Sequence, residues 1–333
     1  MNGLIQKYEN VLKDRLSSLN VLVIGDVMVD EYVIGKVSRI SPEAPIPVLN
    51  YKEEKRIAGG ASNVSQNLAL LGCNVTMAGV VGNDDAGIWL THYLNSVNIS
   101  TDGLFTDSDR PTTVKRRFAT KSQQLLRVDL EETSGVSDEF RQNIIKLLKE
   151  NLNYYNAVVL SDYTKGVFAS PVFVADIISI CNENNICISI DSKSCNIEAF
   201  KNATFVKPNN LELEQAVGIK ITDDESLDRA GGTYLTRSGA KALIVTRGAN
   251  GISVFDSERG RRDFPSKAVQ VYDVTGAGDT VISTVTAGIT CGLELDEAVV
   301  LGNLAASVVI SKIGTASITA QELLGKIYDE ENC

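Results

Sequence analysis

Short apolar runs in the chain alternate with longer segments of helical periodicity, and this alternation is the feature that most restricts the fold. The clearest runs lie at residues 20–25, 157–160, 186–190, 204–206 and 242–245. Continuous apolar runs of this length are typical of strands that are buried on both faces, and the helices between them imply right-handed crossovers. We therefore predict a single α/β domain over the whole chain, residues 1–333, with a doubly wound, mostly parallel sheet flanked by helices.

Two segments, at about residues 31–57 and 112–131, depart from this alternation. The first has short extended runs around prolines at positions 42, 45 and 47, which exclude a helix there. The second contains two strand candidates, at 113–118 and 124–129. We predict that both segments form a small projecting β-sheet, which serves as a lid over the site and as the surface of a homodimer.

Composition excludes several classes of function. The chain carries 32 Lys and Arg against 42 Asp and Glu, a net charge of −10, which argues against nucleic-acid and anionic-membrane partners. Residues 1–20 read as an amphipathic helix and not as a signal peptide, and no apolar run has membrane-spanning length, so we expect a cytoplasmic protein. The single histidine, His92, excludes a multi-histidine metal site and shifts acid–base chemistry toward carboxylates.

Polar residues follow the predicted strands at the point where each strand ends. Because ligands of parallel α/β sheets bind outside the carboxyl ends of the strands, such residues are candidates for one site. They are Asp26, Asp162, Asp191 to Lys193, Lys207 to Asn209, Thr246 to Gly248, and Gly276 to Asp279. Scattered surface residues would not follow strand ends so regularly, and we therefore predict that these residues lie together.

The segment Gly276-Ala277-Gly278-Asp279 combines an anion site with a candidate base. The two glycines permit a tight turn, and apolar residues at helical spacing follow, so we expect a helix to begin here after a preceding strand. The N–H groups at the start of that helix favour a bound phosphoryl group. Asp279, in the first turn, is either a general base for a sugar hydroxyl or a helix cap.

The residues after the first predicted strand distinguish a dinucleotide-binding fold from other α/β folds. Gly25 is followed by Asp26 and not by the Gly-x-Gly-x-x-Gly pattern, which disfavours a dinucleotide-binding oxidoreductase. Asp26 and Asp30 instead suit a ligand rich in hydroxyl groups, since a carboxylate accepts several O–H hydrogen bonds. For Asp30, a solvated loop position is an equally good interpretation.

Two further motifs have both a ligand-binding and a structural interpretation. Gly59 and Gly60 precede a helix and permit the backbone to approach a ligand, while Asn63 is either a sugar ligand or a capping residue. Glu212 either holds a water of a magnesium ion or, with Asn209, forms a capping box at the start of a helix over 211–217.

These motifs together resemble the ribokinase-like (PfkB) carbohydrate kinase family across nearly the whole chain. The resemblance rests on Gly-Gly-Ala-Ser-Asn at 59–63, Asn209-x-x-Glu212, and the segment 273–280. Within that family, the segments 25–30, 38–48, 124–129 and 161–166 look like those of the D-glycero-β-D-manno-heptose 7-phosphate kinases. The resemblance implies transfer of the ATP γ-phosphoryl group to the anomeric hydroxyl, which gives the 1,7-bisphosphate for ADP-heptose and lipopolysaccharide synthesis.

The resemblance also implies roles for the site residues. The base is Asp279, and the anion hole is formed by Gly276, Ala277 and Gly278. On the same resemblance, we assign the sugar subsite to Asp26, Asp30, Gly59, Gly60, Asn63, Asp162 and Lys165. ATP is bordered by Lys193, Lys207, Asn209, Thr246, Arg247, Gly248, Gly276, Gly278 and Asn303. A Mg²⁺ ion is expected at Glu212, through water.

Two features depart from the family pattern. Ser192 stands between Asp191 and Lys193, where these kinases commonly have proline. Many relatives continue into a C-terminal nucleotidyltransferase domain, whereas this chain ends at Cys333, so that second activity is expected to be absent.

Basic residues are concentrated in the second lid segment of an otherwise acidic chain. They are Lys115, Arg116, Arg117, Lys121 and Arg127. Guanidinium groups match phosphate oxygens, so Arg116, Arg117 and Arg127 are candidates for a substrate phosphate remote from the reacting hydroxyl. Neighbouring residues of a strand face opposite ways, so only one of Arg116 and Arg117 is expected to line the site. The alternative is a solvated basic hairpin.

Other functions compete with this interpretation. The nearest is a ribokinase-like kinase for another sugar or sugar phosphate. A sugar-binding regulator without catalysis is disfavoured by the intact segment 276–279 and by Glu212, and an NAD-dependent oxidoreductase is disfavoured by the glycine pattern after the first strand.

Overall fold

A large twisted sheet forms the centre of the computed structural model, which describes residues 2–121, 123–266, 271–312 and 317–331. Within these residues the sheet has nine strands, in the order β13 (Gly260–Phe264), β12 (Ile252–Asp256), β11 (Ala242–Thr246), β10 (Phe205–Val206), β9 (Cys187–Ser192), β8 (Ala157–Asp162), β1 (Asn20–Gly25), β4 (Asn74–Gly82) and β5 (Ile99–Asp107). The strands from β11 to β5 are parallel to their neighbours, while β12 and β13 pair antiparallel. The predicted mostly parallel sheet is therefore confirmed.

Helices cover both faces of this sheet. They are α1 (Asn2–Asn10), α2 (Ala61–Leu71), α3 (Asp85–Ser96), α4 (Asp138–Glu150), α5 (Pro171–Glu183), α6 (Asn210–Val217), α7 (Asp224–Ser238), α8 (Ala277–Thr290), α9 (Leu295–Val309) and α10 (Ala320–Glu331). Strand β1 has alternate side chains in two cores: Val21 and Val23 join the apolar side chains of α2, α3 and α8, and Leu22 and Ile24 join those of α4, α5 and α7. Burial on both faces explains why the central strands are mostly apolar.

The sequence pattern missed or misplaced a few elements. Strands β5 and β13 were not anticipated, because they lie at the two edges of the sheet and their sequences mix polar with apolar residues. The predicted strand before Gly276 is wrong for residues 271–275, which form no strand; residues 267–270 lie outside the described part of the chain.

The N-terminal segment forms the predicted amphipathic helix. Helix α1 continues through a π-helical turn at Val11–Arg15 and a 3-10 turn at Leu16–Ser18, and Tyr8, Val11 and Leu12 are buried in the core that also contains α9 and α10. Among the helices of the described residues, none has both the length and the apolar character that crossing a membrane requires.

The two segments that broke the alternation form a separate sheet, the lid. Its strands, in the order β3-β2-β6-β7, are β3 (Pro47–Gly60), β2 (Val27–Ile40), β6 (Thr113–Ala119) and β7 (Gln124–Leu130). Strands β2 and β6 are parallel, and the other two pairs are antiparallel. The lid strands begin closer to the site than predicted, since β2 starts directly after Asp26 and β3 ends at Gly60.

Candidate active site

Neighbouring strand ends bring polar residues together at one edge of the large sheet. Strands β1, β8, β9 and β10 are adjacent, and Asp26, Asp162, Asp191 and Lys207 lie at or just beyond their carboxyl ends. Lys207 Nζ lies 2.9 Å from Asp191 Oδ2, and Ser192 Oγ donates to Asp162 Oδ2 over 2.6 Å. The residues selected by their position after each strand thus form one cluster.

Asp279 lies in the first turn of α8 with its carboxylate directed toward other elements. Asn63 Nδ2 donates to Oδ2 over 2.6 Å, and the Tyr163 hydroxyl donates to Oδ1 over 2.8 Å. The N-cap of α8 is Gly276, at φ +83°, and no side chain caps the helix. The capping interpretation of Asp279 is therefore wrong. The capping interpretation of Asn63 is also wrong, because the Asn63 side chain binds Asp279 and not the start of α2.

The environment of Asp279 tunes its protonation. Burial raises the pKa of this carboxyl to about 6, and the charge of Asp191 adds to that rise. The hydrogen bonds from Asn63 and Tyr163 and the charge of Lys207 act in the opposite direction. A pKa slightly below neutrality suits a general base, because the group is ionised at working pH and still accepts a proton readily.

The start of α8 has a cation beside it. A Cβ added at Gly278 would lie 3.3 Å from Lys207 Nζ, so the lysine ammonium adjoins the first turn of the helix. Burial by itself would lower the pKa of Lys207, but the charges of Asp191 and Glu212 outweigh burial and raise it. A cation that stays charged next to the N–H groups at the start of a helix favours a bound anion there, as predicted for this segment.

Glu212 has the structural role that the sequence left open. Asn209 Oδ1 accepts from the Glu212 N–H over 2.9 Å, and Glu212 Oε2 accepts from the Asn209 N–H over 2.8 Å, which completes a capping box at α6. Burial, followed by the charge of Asp191, raises the pKa of Glu212. Among the described residues, no group of three or more His, Cys, Asp or Glu is arranged as a metal site. Mg²⁺ is commonly held by one or two carboxylates together with substrate phosphates, and one partly buried carboxylate beside an anion site fits that pattern.

Asp26 holds the loop between β8 and α5. Its carboxylate accepts the backbone N–H of Tyr163 (2.8 Å), Lys165 (2.9 Å) and Val167 (3.2 Å). Burial, and then the nearby charge of Asp162, raises the pKa of Asp26 to about 6, against the effect of these hydrogen bonds. The structure thus gives Asp26 a positioning role that the sequence did not indicate, in addition to the predicted contact with the sugar.

The glycine pair at 59–60 is required by the lid itself. A Cβ at Gly59 would collide with Asp30 Oδ2, and Gly60 has φ +57°, with its Cβ position 2.5 Å from the Asp26 carbonyl oxygen. Protein atoms thus fill the Cβ positions of both glycines, which permit the close pairing of β3 with β2, and their backbone contact with the sugar stays a prediction.

The lid cations divide between its two faces. Arg117 pairs with Asp30 and lies on the same face as Lys115, whereas Arg116 pairs with Glu31 on the opposite face. Because Asp30 lies against Gly59, next to the site, that face is the inner one. The β-strand alternation directs Arg116 to the other face, which favours Arg117 as the one arginine of the pair that is predicted to line the site.

Two more lid residues of the inner face carry opposite charges. Arg127 lies opposite Arg117 in the register and pairs with Asp129 over 2.9 Å, while Lys115 lies 3.9 Å from the same carboxylate. From the loop after β8, Lys165 pairs with Glu131 over 2.8 Å. The inner face thus has several cations beside the site, each neutralised by a carboxylate of the protein.

Residues assigned to the nucleotide are partly engaged with the sheet. Arg247 donates to Ser253 Oγ over 3.0 Å and lies 3.4 Å from Asp263, and Asn303 Nδ2 donates to the carbonyl of Pro265 over 2.9 Å. These contacts tie Arg247 and Asn303 to β12, β13 and the residues that follow. Both side chains are thus engaged with the protein, and their contact with ATP stays a prediction.

Thr246 adjoins the residues that precede α6. Thr246 forms a bridge with Asn209, and its N–H donates to the carbonyl of Pro208 over 3.0 Å. Lys193, which the sequence predicts to border ATP, has its Nζ 4.3 Å from the centre of the Tyr163 ring. The end of β11 and the start of α6 thus lie together, as their positions after neighbouring strands predict.

The sequence does not indicate one residue of the cluster, Tyr163, whose hydroxyl contacts Asp279. Asp191, which contacts Lys207, lies in the cluster as its place at a strand end predicts. The contact of Tyr163 depends on the loop that Asp26 organises, which no local pattern indicates.

Comparisons with known proteins agree with this geometry. Residues 18–322 match the pfkB family carbohydrate kinase model. The chain is 38% identical over 309 residues to the bifunctional protein HldE of Geobacter metallireducens, covering 93% of this chain and 63% of that protein. It is 39% identical over 315 residues to the bifunctional protein HldE of Helicobacter hepaticus, covering 94% and 64%. The chain therefore spans slightly less than two thirds of these relatives.

Solved structures show the same fold. Phosphofructokinase-2 from Escherichia coli in complex with potassium superposes with a TM-score of 0.76 at 21% identity, over 95% of this chain and 99% of that chain. Ribokinase from Arabidopsis thaliana complexed with ribose and ATP gives 0.73 at 18% identity, over 93% and 98%. The sheet, the flanking helices and the lid are thus ribokinase-like, and the chain belongs to the pfkB family of carbohydrate kinases.

Proposed function

We propose that the chain phosphorylates the anomeric hydroxyl of D-glycero-β-D-manno-heptose 7-phosphate with ATP, and so supplies the 1,7-bisphosphate for ADP-heptose and lipopolysaccharide core synthesis. Membership of the family makes it a phosphotransferase that acts on a sugar hydroxyl. The observation that carries the proposal is Asp279, held by Asn63 and Tyr163 beside the anion site of α8 and Lys207. The heptose assignment rests on the four segments that resemble heptose 7-phosphate kinases.

The residues divide the work of phosphoryl transfer between them. Asp279 accepts the proton of the anomeric hydroxyl as that oxygen attacks the γ-phosphorus. The N–H groups at the start of α8 and the Lys207 ammonium hold the phosphoryl oxygens and oppose their negative charge. A Mg²⁺ ion, held through water by Glu212, would neutralise further phosphate charge.

The inner face of the lid supports a substrate that carries a second phosphate. Lys115, Arg117 and Arg127, together with Lys165 from the loop after β8, form a set of cations on one side of the site. The carboxylates that now neutralise them keep the guanidinium and ammonium groups in place. A phosphate would compete with these carboxylates for the cations, because it carries a charge of about −1.5 to −2 at pH 7 and has three acceptor oxygens.

Phosphorus NMR of the product tests the proposal. The enzyme is incubated with ATP and, separately, with heptose 7-phosphate, unphosphorylated heptose and other sugar phosphates. We expect a new anomeric phosphate resonance and ADP with heptose 7-phosphate. Turnover of a different sugar in preference would support the alternative, a ribokinase-like kinase of another substrate. Absence of ATP turnover with every sugar would support a binding protein without catalysis.

The substitution Glu212→Gln tests the magnesium assignment. Gln retains an oxygen for the Asn209 N–H, so the capping box and the helix should persist. Loss of the charge is expected to raise the Mg²⁺ concentration needed for half-maximal activity by about 10-fold, the lower range for partners that orient a metal ligand. Glu214→Gln, on the same helix, is the matched control. An unchanged magnesium titration in the Glu212 variant would remove this residue from the metal site.

The outer face of the lid supports the proposed homodimer. Leu126, Val128 and Leu130 of the edge strand β7 point to this face, with exposed fractions of 56, 47 and 54%. A row of exposed apolar side chains on an edge strand is typical of an interface. We expect Val128→Glu to convert a dimer into a monomer in sedimentation equilibrium, with Thr120→Glu in the lid turn as control. A variant that sediments like the unmodified protein would place the interface elsewhere.

A further inference from the structure

Tyr163 contacts three functional groups at once. Its hydroxyl donates to Asp279 Oδ1 over 2.8 Å, its backbone N–H donates to Asp26 Oδ2 over 2.8 Å, and its ring lies 4.3 Å from Lys193 Nζ. An ammonium at this distance from a tyrosine ring is attracted by the ring electrons, which restrains both side chains. The position of the hydroxyl is thus fixed by more than its bond to Asp279.

The loop that carries Tyr163 is held independently of Asp279. Thr164 has φ +57° and Gly166 has φ +103°, and a Cβ at Gly166 would collide with the carbonyl oxygen of Ser134. This tight course is stabilised by Asp26, which accepts three backbone N–H groups of the loop. The loop conformation therefore fixes the position of the Tyr163 hydroxyl, so this donor is preorganised for the Asp279 carboxylate.

We propose that Tyr163 is a positioning residue for the base: together with Asn63 it binds the Asp279 carboxylate, one donor to each oxygen, and so directs a remaining lone pair toward the sugar hydroxyl. The inference rests on the proposed role of Asp279 as base. In the reaction, the sugar O–H bond breaks and its proton moves to Asp279, while the new O–P bond forms. Tyr163 keeps its own proton, because burial and the charge of Asp279 hold the pKa of its hydroxyl well above the ordinary value.

The effect of Tyr163 on protonation has a definite sign. A hydrogen bond to the ionised carboxylate favours that form, so the donor lowers the pKa of Asp279, against the rise caused by burial. Asp191 from β9 acts in the same direction as burial, and Lys207 acts with the donor. Removal of the hydroxyl should therefore raise the pKa of Asp279 above its value of about 6.

Two more charged groups face this region. Glu212 of α6 contributes to the raised pKa of Tyr163, and the Lys193 ammonium lies on the ring of Tyr163. Tyr163→Phe keeps the ring and hence the Lys193 contact, so it changes the hydrogen bond and leaves these charges in place.

The test is the pH dependence of kcat/KM for the sugar in Tyr163→Phe. We expect its acidic limb to move about one pH unit to higher pH, the shift that corresponds to a hydrogen bond worth about 1.4 kcal/mol. At pH values well above the limb, kcat should still be lower than in the unmodified enzyme, because one oxygen of the base has lost its donor, whereas KM for ATP should not change. The matched control is Tyr93→Phe, which removes a tyrosine hydroxyl bonded to Gln66 Oε1 over 2.8 Å, on α3 and α2. A shift in that control as well would show a general effect and overturn the proposal.

The other outcomes separate this inference from the proposed base. If Tyr163→Phe leaves the limb unchanged while Asp279→Asn is inactive, the base stands and the positioning role is wrong. If Asp279→Asn retains full activity, the proposed base itself fails. If Tyr163→Phe increases kcat/KM equally at every pH by lowering KM for the sugar, the hydroxyl competes with substrate and does not position the base. Circular dichroism confirms the fold of each variant, and carbon NMR of labelled aspartate gives the Asp279 pKa directly.

Discussion

Asp279→Asn is expected to lower kcat by about 10²–10⁴-fold, the usual contribution of a general base. Asn has nearly the same shape, and its oxygen can still accept from Tyr163 or Asn63, but it cannot take a proton from the sugar. KM for ATP should change little, because the anion site of α8 is left intact. Steady-state kinetics at saturating sugar measures the effect. A variant with undiminished kcat would leave Asp279 with a structural role alone.

The same variant should not lose stability, and the pH dependence of its stability has a predicted sign. Folding raises the pKa of Asp279 from 3.8 to about 6, so its contribution to stability is fully present below pH 4 and is lost as pH rises through 6. The neutral Asn avoids that loss. We expect the unfolding free energy of the variant to exceed that of the unmodified protein by on the order of 1–3 kcal/mol at pH 8, and the difference to shrink toward pH 4. Denaturant titrations at both pH values measure it.

Arg117→Ala is expected to raise KM for heptose 7-phosphate by about 10- to 100-fold, the range for a lost hydrogen bond between charged groups. Arg117 lies on the inner face of the lid, and its removal also leaves the charge of Asp30 without its partner next to the site. KM for ATP should be unaffected. With unphosphorylated heptose the variant and the unmodified enzyme should differ little, because the phosphate contact is already missing.

Arg116→Ala is the matched control for Arg117→Ala. It removes the same charge from the next position of β6, but on the outer face, where the guanidinium pairs with Glu31. We expect KM values close to those of the unmodified enzyme. Equal losses for phosphorylated and unphosphorylated heptose in Arg117→Ala would show that Arg117 acts on the sugar through Asp30 and not on the phosphate.

The parts of the fold that the sequence predicted correctly are those where burial dictates residue type. Strands β1, β8, β9 and β11 are buried on both faces, so they are mostly apolar. Polar residues then mark in the sequence where each strand ends. β5 and β13 lie at the sheet edges, where polar residues are tolerated, and their sequences therefore give no comparable signal.

The residues of the candidate site also differ in how far the sequence predicts their positions. Asp279, Lys207 and Asp191 follow strands or begin a helix, so their proximity follows from topology alone. The separate faces of Arg116 and Arg117 follow from strand alternation, but which face is inner depends on the pairing of β2 with β6. The contact between Tyr163 and Asp279 depends on three hydrogen bonds to one buried carboxylate, and such long-range contacts have no local sequence pattern.

The direct continuation of the large sheet into the lid has a mechanical consequence. One residue, Asp26, separates β1 from β2, and none separates β3 from α2, which carries Asn63. These two connections between the lid and the rest of the domain thus contain Asp26, which holds the loop of Tyr163, and lie next to Asn63, which holds the base. If the lid tilted when substrate bound, the movement would reach Asp26 and Asn63 directly, because no flexible linker intervenes. Through these two residues it would change the contacts of Asp279. Binding of the proposed substrate phosphate to the lid cations would then be coupled to the position of the base, and an insertion after Gly25 or Gly60 would uncouple the two.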